Sequence, residues 1–96
     1  MTGSDAHPAD LVASAVLAHP CVIRLDGGEF GVIATPLPGR RVTGVRVRDD
    51  STEVGVVLRL ERPLPEVVAE LRAAIEQAAG AGPVDITVVD VEQAGA

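Results

Sequence analysis

Few residues in this chain could do chemistry. His7, His19 and Cys21 are its only soft metal ligands, and Cys21 is its one thiol. His19-Pro20-Cys21 brings two of them within one tripeptide, and a histidine beside a cysteine is a pairing that can generate a thiolate. A structural zinc site takes four ligands at compact spacing, which this chain does not offer. Nothing near Cys21 points to an oxyanion site or an orienting acid. His19 is read instead as a helix-end residue and Cys21 as a small buried hydrophobe. The carboxylates fall in turns or on a helix face, where solvation accounts for them. The sequence therefore calls for no metal, no cofactor and no catalysed reaction.

Gly28-Glu29-Phe30-Gly31 spells the GxxG of an RNA-clamping loop. That loop works between two helices, with basic residues around it. Here it carries Glu29 between strand-like segments, and the match is read as chance. Arg40, Arg41, Arg46 and Arg48 are a stronger signal, four arginines in nine residues with no acid between them. Arg46 and Arg48 alternate with Val45 and Val47, which puts the arginines on the outer face of a strand and the valines on the inner one. Two readings fit them. One is a solvated face flanked by Asp49 and Asp50. The other is an electrostatic docking patch for an acidic partner, including the Glu-rich helix of a second copy, and that association would be head-to-tail and open-ended. These four arginines are the candidate partner-binding residues.

The elements that position them follow from periodicity. Pro8 suits the first turn of a helix, Leu11, Val12, Ala15, Val16 and His19 recur at helical spacing, and Pro20 ends the run. With so little charge on it, this helix is expected to be covered over most of its girth. Cys21 to Asp26 alternates, with Cys21, Ile23 and Leu25 on one side and Val22, Arg24 and Asp26 on the other. Gly27-Gly28 turns the chain, and Glu29 to Ala34 is expected to return as a strand. Pro38-Gly39 fits the centre of a type II turn. Val42 to Arg48 and Glu53 to Leu60 form a hairpin through the polar turn Asp49-Thr52. Val54, Val56, Leu58 and Leu60 face the core. A second helix opens at Pro65 and stops at Gly80, Gly82 and Pro83; Val67, Val68, Leu71, Ala74, Ile75 and Ala78 make its stripe. Val84 to Glu92 is a last strand, with Val84, Ile86 and Val88 inward and its direction parallel to Glu53–Leu60. The expected fold is α+β, a two-layer sandwich in which a mostly antiparallel sheet of three to four strands carries two helices on one face. Residues 1–8 are expected to be a mobile lead-in, 9–92 the single domain and 93–96 a tail.

Composition limits the function classes. Ninety-six residues make one domain, 47% of them apolar and mostly Val and Ala, with Phe30 the only aromatic. All eight basic residues are arginine, and the net charge is −6. Residues 1–48 hold five arginines against four acids, net +1, and residues 49–96 hold three against ten, net −7. An acidic chain without stacking aromatics is repelled by polyphosphate, so nucleic acid is not an expected partner, and a nucleic-acid-binding regulator using the Arg-rich strand stands only as the alternative function. A single cysteine fits a reducing compartment. No basic segment leads into an apolar run at the start, so no secretory leader is expected. The longest apolar run, Leu11 to Ala18, is far short of the ~20 residues of a membrane span, which rules out direct insertion.

Taken in order, Pro38-Gly39-Arg40-Arg41-Val42-Thr43-Gly44-Val45-Arg46-Val47, the strand Glu53–Leu60, the helix opening Pro65-Glu66-Val67-Val68 and the strand Pro83-Val84-Asp85-Ile86-Thr87-Val88 carry a resemblance. They look like the alkaline shock protein (Gls-type) envelope stress response family of Gram-positive bacteria, in its short high-GC form, over about residues 9–92. Cys21 departs from the pattern, where a glycine after the proline is expected. The resemblance implies a non-enzymatic stress-response scaffold or adaptor on the cytoplasmic side of the envelope, acting through protein–protein contacts and self-association. It implies recruitment by a small membrane-anchored partner, and it brings no catalytic residues.

Overall fold

The computed structural model describes residues 7–80 and 82–93. Of the expected lead-in and tail, all but His7, Pro8 and Gln93 lie outside the described residues.

The chain has an α+β fold, and its described residues form two helices, a four-stranded sheet and a two-stranded sheet. Its spine is β5 (Thr52–Leu60), rich in the β-branched residues that fit a doubly covered strand. Along one edge β5 pairs in parallel with β6 (Val84–Gln93). Its other edge is shared end to end by two antiparallel partners. β4 (Val45–Val47) takes Thr52–Val54, and β1 (Val22–Leu25) takes Val56–Leu58. A separate hairpin, β2 (Ala34–Leu37) and β3 (Arg40–Thr43), turns at Pro38-Gly39 with Gly39 at φ 75°. No ladder joins this hairpin to β4. Instead the buried Thr35 hydroxyl donates to the Val45 carbonyl at 2.7 Å and accepts from the Val47 N–H at 3.2 Å.

Both helices pack into one core with the inner face of the sheet. α1 (Pro8–Leu17) is capped by His7, whose ring accepts the Ala9 N–H at 3.0 Å while Asp10 reaches back to the His7 N–H. It buries Ala9, Val12 and Val16. Leu11 and Leu17 stay about half exposed, so less of this helix is covered than its low charge implied. α2 (Leu64–Ala79) starts one residue before the proline expected to open it and buries Val67, Leu71 and Ile75, one residue per turn. These meet Val45, Val54, Val56, Leu58 and Val84, with Ile86 and Val88 packed at the margin. Val57 and Ile33 are buried as well but belong to no part of this core. Val57 alternates with Val56 and Leu58, which places it on the opposite face.

Four expectations need correction. Leu60, expected to face the core at the end of β5, is 45% exposed. Residues 26–33 form a loop, not a strand, and the pairing begins only at Ala34. Val42–Arg48 is not one strand: Gly44, at φ 87°, breaks it into β3 and β4. In β1 a bulge between Val22 and Arg24 shifts the alternation, so Val22 pairs with Leu58 and packs in the core, while Leu25 pairs with Val56.

The physical cause of the last two is a close crossing. The Gly55 N–H donates to the Gly44 carbonyl at 2.9 Å, and the Gly55 carbonyl accepts from the Asp26 N–H at 2.9 Å. A Cβ on Gly55 would lie 2.1 Å from the Asp26 carbonyl oxygen, and one on Gly44 would lie 2.6 Å from the Leu25 Cβ. Only glycine fits where β1 ends, β4 begins and the two hand over on β5. Gly55→Ala is expected to lose at least about 3 kcal/mol, because the obstruction is backbone and cannot rotate away. Gly39→Ala has open space around it and is expected to cost about 1 kcal/mol for its positive φ alone. Urea unfolding checks both. Equal losses at the two glycines would mean the crossing is not tight.

Candidate functional site

The structure divides the four candidate arginines. Arg40 and Arg41 stand on β3, Arg46 stands in β4, and Arg48 follows it. Arg40 forks onto Asp10, with Nη1 donating to Oδ1 at 3.0 Å and Nη2 to Oδ2 at 2.8 Å. That hydrogen-bonded fork holds the Asp10 carboxyl below its ordinary range. Since Asp10 also belongs to the cap of α1, Arg40 ties the hairpin to the start of the helix. Arg41 donates from Nη2 to the Gly31 carbonyl at 3.3 Å and so braces the 26–33 loop. Among the described residues Arg46 and Arg48 make no ion pair. Arg46 stands opposite Glu53, which stands opposite Asp85. The outer face of the sheet is therefore a mixed row, not the arginine-bearing one that the Val–Arg alternation implied. Arg48 is exposed at a turn closed by its own N–H on the Ser51 carbonyl at 2.8 Å.

Sequence reasoning missed the tip of the 26–33 loop. Phe30 is 82% exposed and Val32 60%. Their backbone is held by the Gly28 N–H on Asp26 Oδ1 at 2.8 Å, the Gly31 N–H on the Gly28 carbonyl and the Ile33 N–H on the Gly27 carbonyl, both at 3.1 Å. Gly28 and Gly31 supply positive φ. Ile33 is buried beneath, its Cδ1 3.2 Å from where a Gly55 Cβ would be. The available signal was the chain's only aromatic between glycines, in a segment with no clean period. With Arg41 braced against Gly31, the tip is a fixed apolar projection beside a guanidinium.

His19 and Cys21 are neighbours in space, but their groups are already engaged. His19 Nδ1 accepts the Cys21 N–H at 3.0 Å, so the network assigns the ring proton to Nε2, which donates to Glu70 Oε1 at 2.7 Å. Neither nitrogen is left for a metal or for the Cys21 thiol, which is itself buried. Glu70 in turn receives both arms of Arg62, at 2.9 and 2.5 Å, and Arg62 reaches Glu66 at 3.4 Å. The cluster fastens the end of α1 to α2. Among the described residues no three His, Cys, Asp or Glu side chains gather as metal ligands.

No family model matches the chain, and no curated protein or solved structure matches it.

The Glu70 carboxyl is held at about 2, by Arg62 first and His19 second, against an ordinary 4.5. A folded value below the unfolded one adds stability above about pH 4.5 and loses it as the pH falls through 2. Side chains this exposed keep the effect modest. Glu70→Gln is expected to melt below the wild type at pH 7, with the gap closing between pH 4.5 and 2. A gap constant across that range would assign Glu70 no electrostatic part.

Proposed function

We propose that this chain is a non-enzymatic stress-response adaptor or scaffold, working by protein–protein contacts on the cytoplasmic side of a cell envelope. The observation that carries the contact role is the Phe30 tip. A large aromatic left in water on a braced loop is a ready anchor, because such side chains dominate interface energies and a rigid loop loses little freedom on binding. Arg46 and Arg48 support the reading as cations without an intramolecular ion pair among the described residues, able to meet an acidic partner or the acidic half of a second copy. The envelope assignment rests on the alkaline shock resemblance of residues 38–47, 53–60, 65–68 and 83–88. No helix among the described residues is long and apolar enough to cross a membrane. On this reading a small membrane-anchored protein provides the tether.

Affinity capture from the source cells, with mass spectrometry of what is retained, tests the contact role. The wild type is expected to retain one small membrane protein in near-equal amount. Phe30→Ala, which removes no core contact, is expected to reduce that recovery by about tenfold. The same recovery with Phe30→Ala, or an empty wild-type lane, would end the proposal. Sedimentation tests self-association. Oligomers are expected to dissociate with added salt and with Arg46→Glu plus Arg48→Glu, whereas a salt-indifferent monomer at high concentration would remove self-assembly from the reading.

A further inference from the structure

Among the described residues, the edge of β6 that faces away from β5 is bare at its centre. The Thr52 N–H donates to the Pro83 carbonyl at 3.0 Å, and the parallel register sets Thr52 opposite Val84. Backbone groups alternate in direction along a strand, so Val84, Ile86 and Val88 turn theirs outward. Arg72 of α2 donates to the Val84 carbonyl and closes the first position. Beyond the bulge that follows Val88, Asp90 Oδ1 accepts the Val91 N–H at 2.8 Å. Between these two caps Ile86 and Val88 have no backbone partner among the described residues. Edges are usually blunted by charge, bulges and caps. Here the blunting stops on either side of a short window.

The flanks of the window state what would fit it. On the helix side Ile86 and Val88 are only partly buried against the core, so a joining strand gains by placing apolar side chains there. On the other side stand Asp85, opposite Glu53, and then Thr87 and Asp90, and β6 holds no basic residue at all. A second β6 would set the same acids against each other. We propose that Ile86–Val88 is a strand-addition site for an extended segment of another protein that alternates apolar and basic side chains. The site goes beyond the Phe30 contact and does not depend on it.

The probe is a capped Arg-Val-Arg-Val-Arg peptide added to the full, isotope-labelled chain, with amide exchange read by NMR. At ten times Kd, exchange at Ile86 and Val88 is expected to slow about tenfold. Asp85→Lys is expected to weaken binding about threefold, as the loss of a cross-strand charge pair does. The same peptide with its hydrogen-bonding amides methylated is expected not to bind. No binding at millimolar peptide, equal binding of the methylated form, or protection that appears without peptide as the protein is concentrated would each overturn the proposal. Phe30→Ala leaves this edge intact, so it is expected to bind the peptide as the wild type does, and the two contacts fail separately.

Discussion

Gly55 and the backbone of Asp26 approach so closely that the structure has no room for a methyl group between them. The rest of the fold is arranged around that crossing. β5 has one long partner, β6, and two short ones, β4 and β1, which must change over at its midpoint without leaving a gap in the ladder. The changeover works because Gly55 bonds both ways, to Gly44 on one side and Asp26 on the other, while the Gly44 N–H holds the Ile33 carbonyl at 2.7 Å. Six backbone groups that a broken sheet would strand in the interior are thereby paired, each of which would otherwise cost about 1–3 kcal/mol. The same geometry sends the chain after Asp26 onto the outer face and so decides where the 26–33 loop projects.

The arginines show how position decides role when side-chain type does not vary. Arg40 and Arg41 are adjacent in sequence and both exposed, yet both are occupied, one as a two-pronged strut to the cap of α1 and one as a brace beneath Gly31. Arg24 meets Glu92 across the sheet at 3.3 Å, and Arg59 donates to the Pro20 carbonyl at 2.9 Å. In a domain whose core is mostly valine, planar forks that bind two acceptors at fixed angles add orientation that small apolar side chains do not. Arg46 and Arg48, without an ion pair among the described residues, sit next to acids of their own chain. That neighbourhood weakens a purely electrostatic patch, and the proposed contact therefore rests more on the apolar tip.

Much of this was legible in the chain. The stripe Val67, Leu71, Ile75 and the alternation Val54, Val56, Leu58 each have one period and one burial solution, and both stand where periodicity put them. The parallel placement of β6 followed from a helix long enough to cross back over the sheet. The failures cluster at one place. Gly44 and Gly55 interrupt nothing in the hydrophobic pattern, so the break of Val42–Arg48 into β3 and β4 was invisible to it; the reason for both glycines lies in a contact with Leu25 and Asp26, distant in sequence. The bulge at Ile23 is a further consequence, since β1 must gain a residue to meet β5 beyond the crossing. The arginine segment was found by composition, but which of its members were already engaged depended on Asp10 and Gly31, whose approach only the tertiary fold sets.

Why the single aromatic should lie outside follows from the same crossing. Two large apolar side chains of the 26–33 loop compete for one recess over Gly55. Ile33 fills it, and its Cδ1 comes as near as 3.2 Å to the position a side chain there would take. A recess bounded by the backbone of Gly55 and of Gly28, whose Cβ position lies 3.7 Å from the same Cδ1, accepts a narrow branched aliphatic; a ring would crowd the backbone that makes the junction. Seating Ile33 fixes the loop's phase. With Gly28 and Gly31 at positive φ and Arg41 on the Gly31 carbonyl, the residue three before Ile33 then points into solvent. The exposure of Phe30 is thus enforced by packing beneath it rather than left over from a loose loop, and a side chain held in water by its own fold is one whose burial is available to a partner.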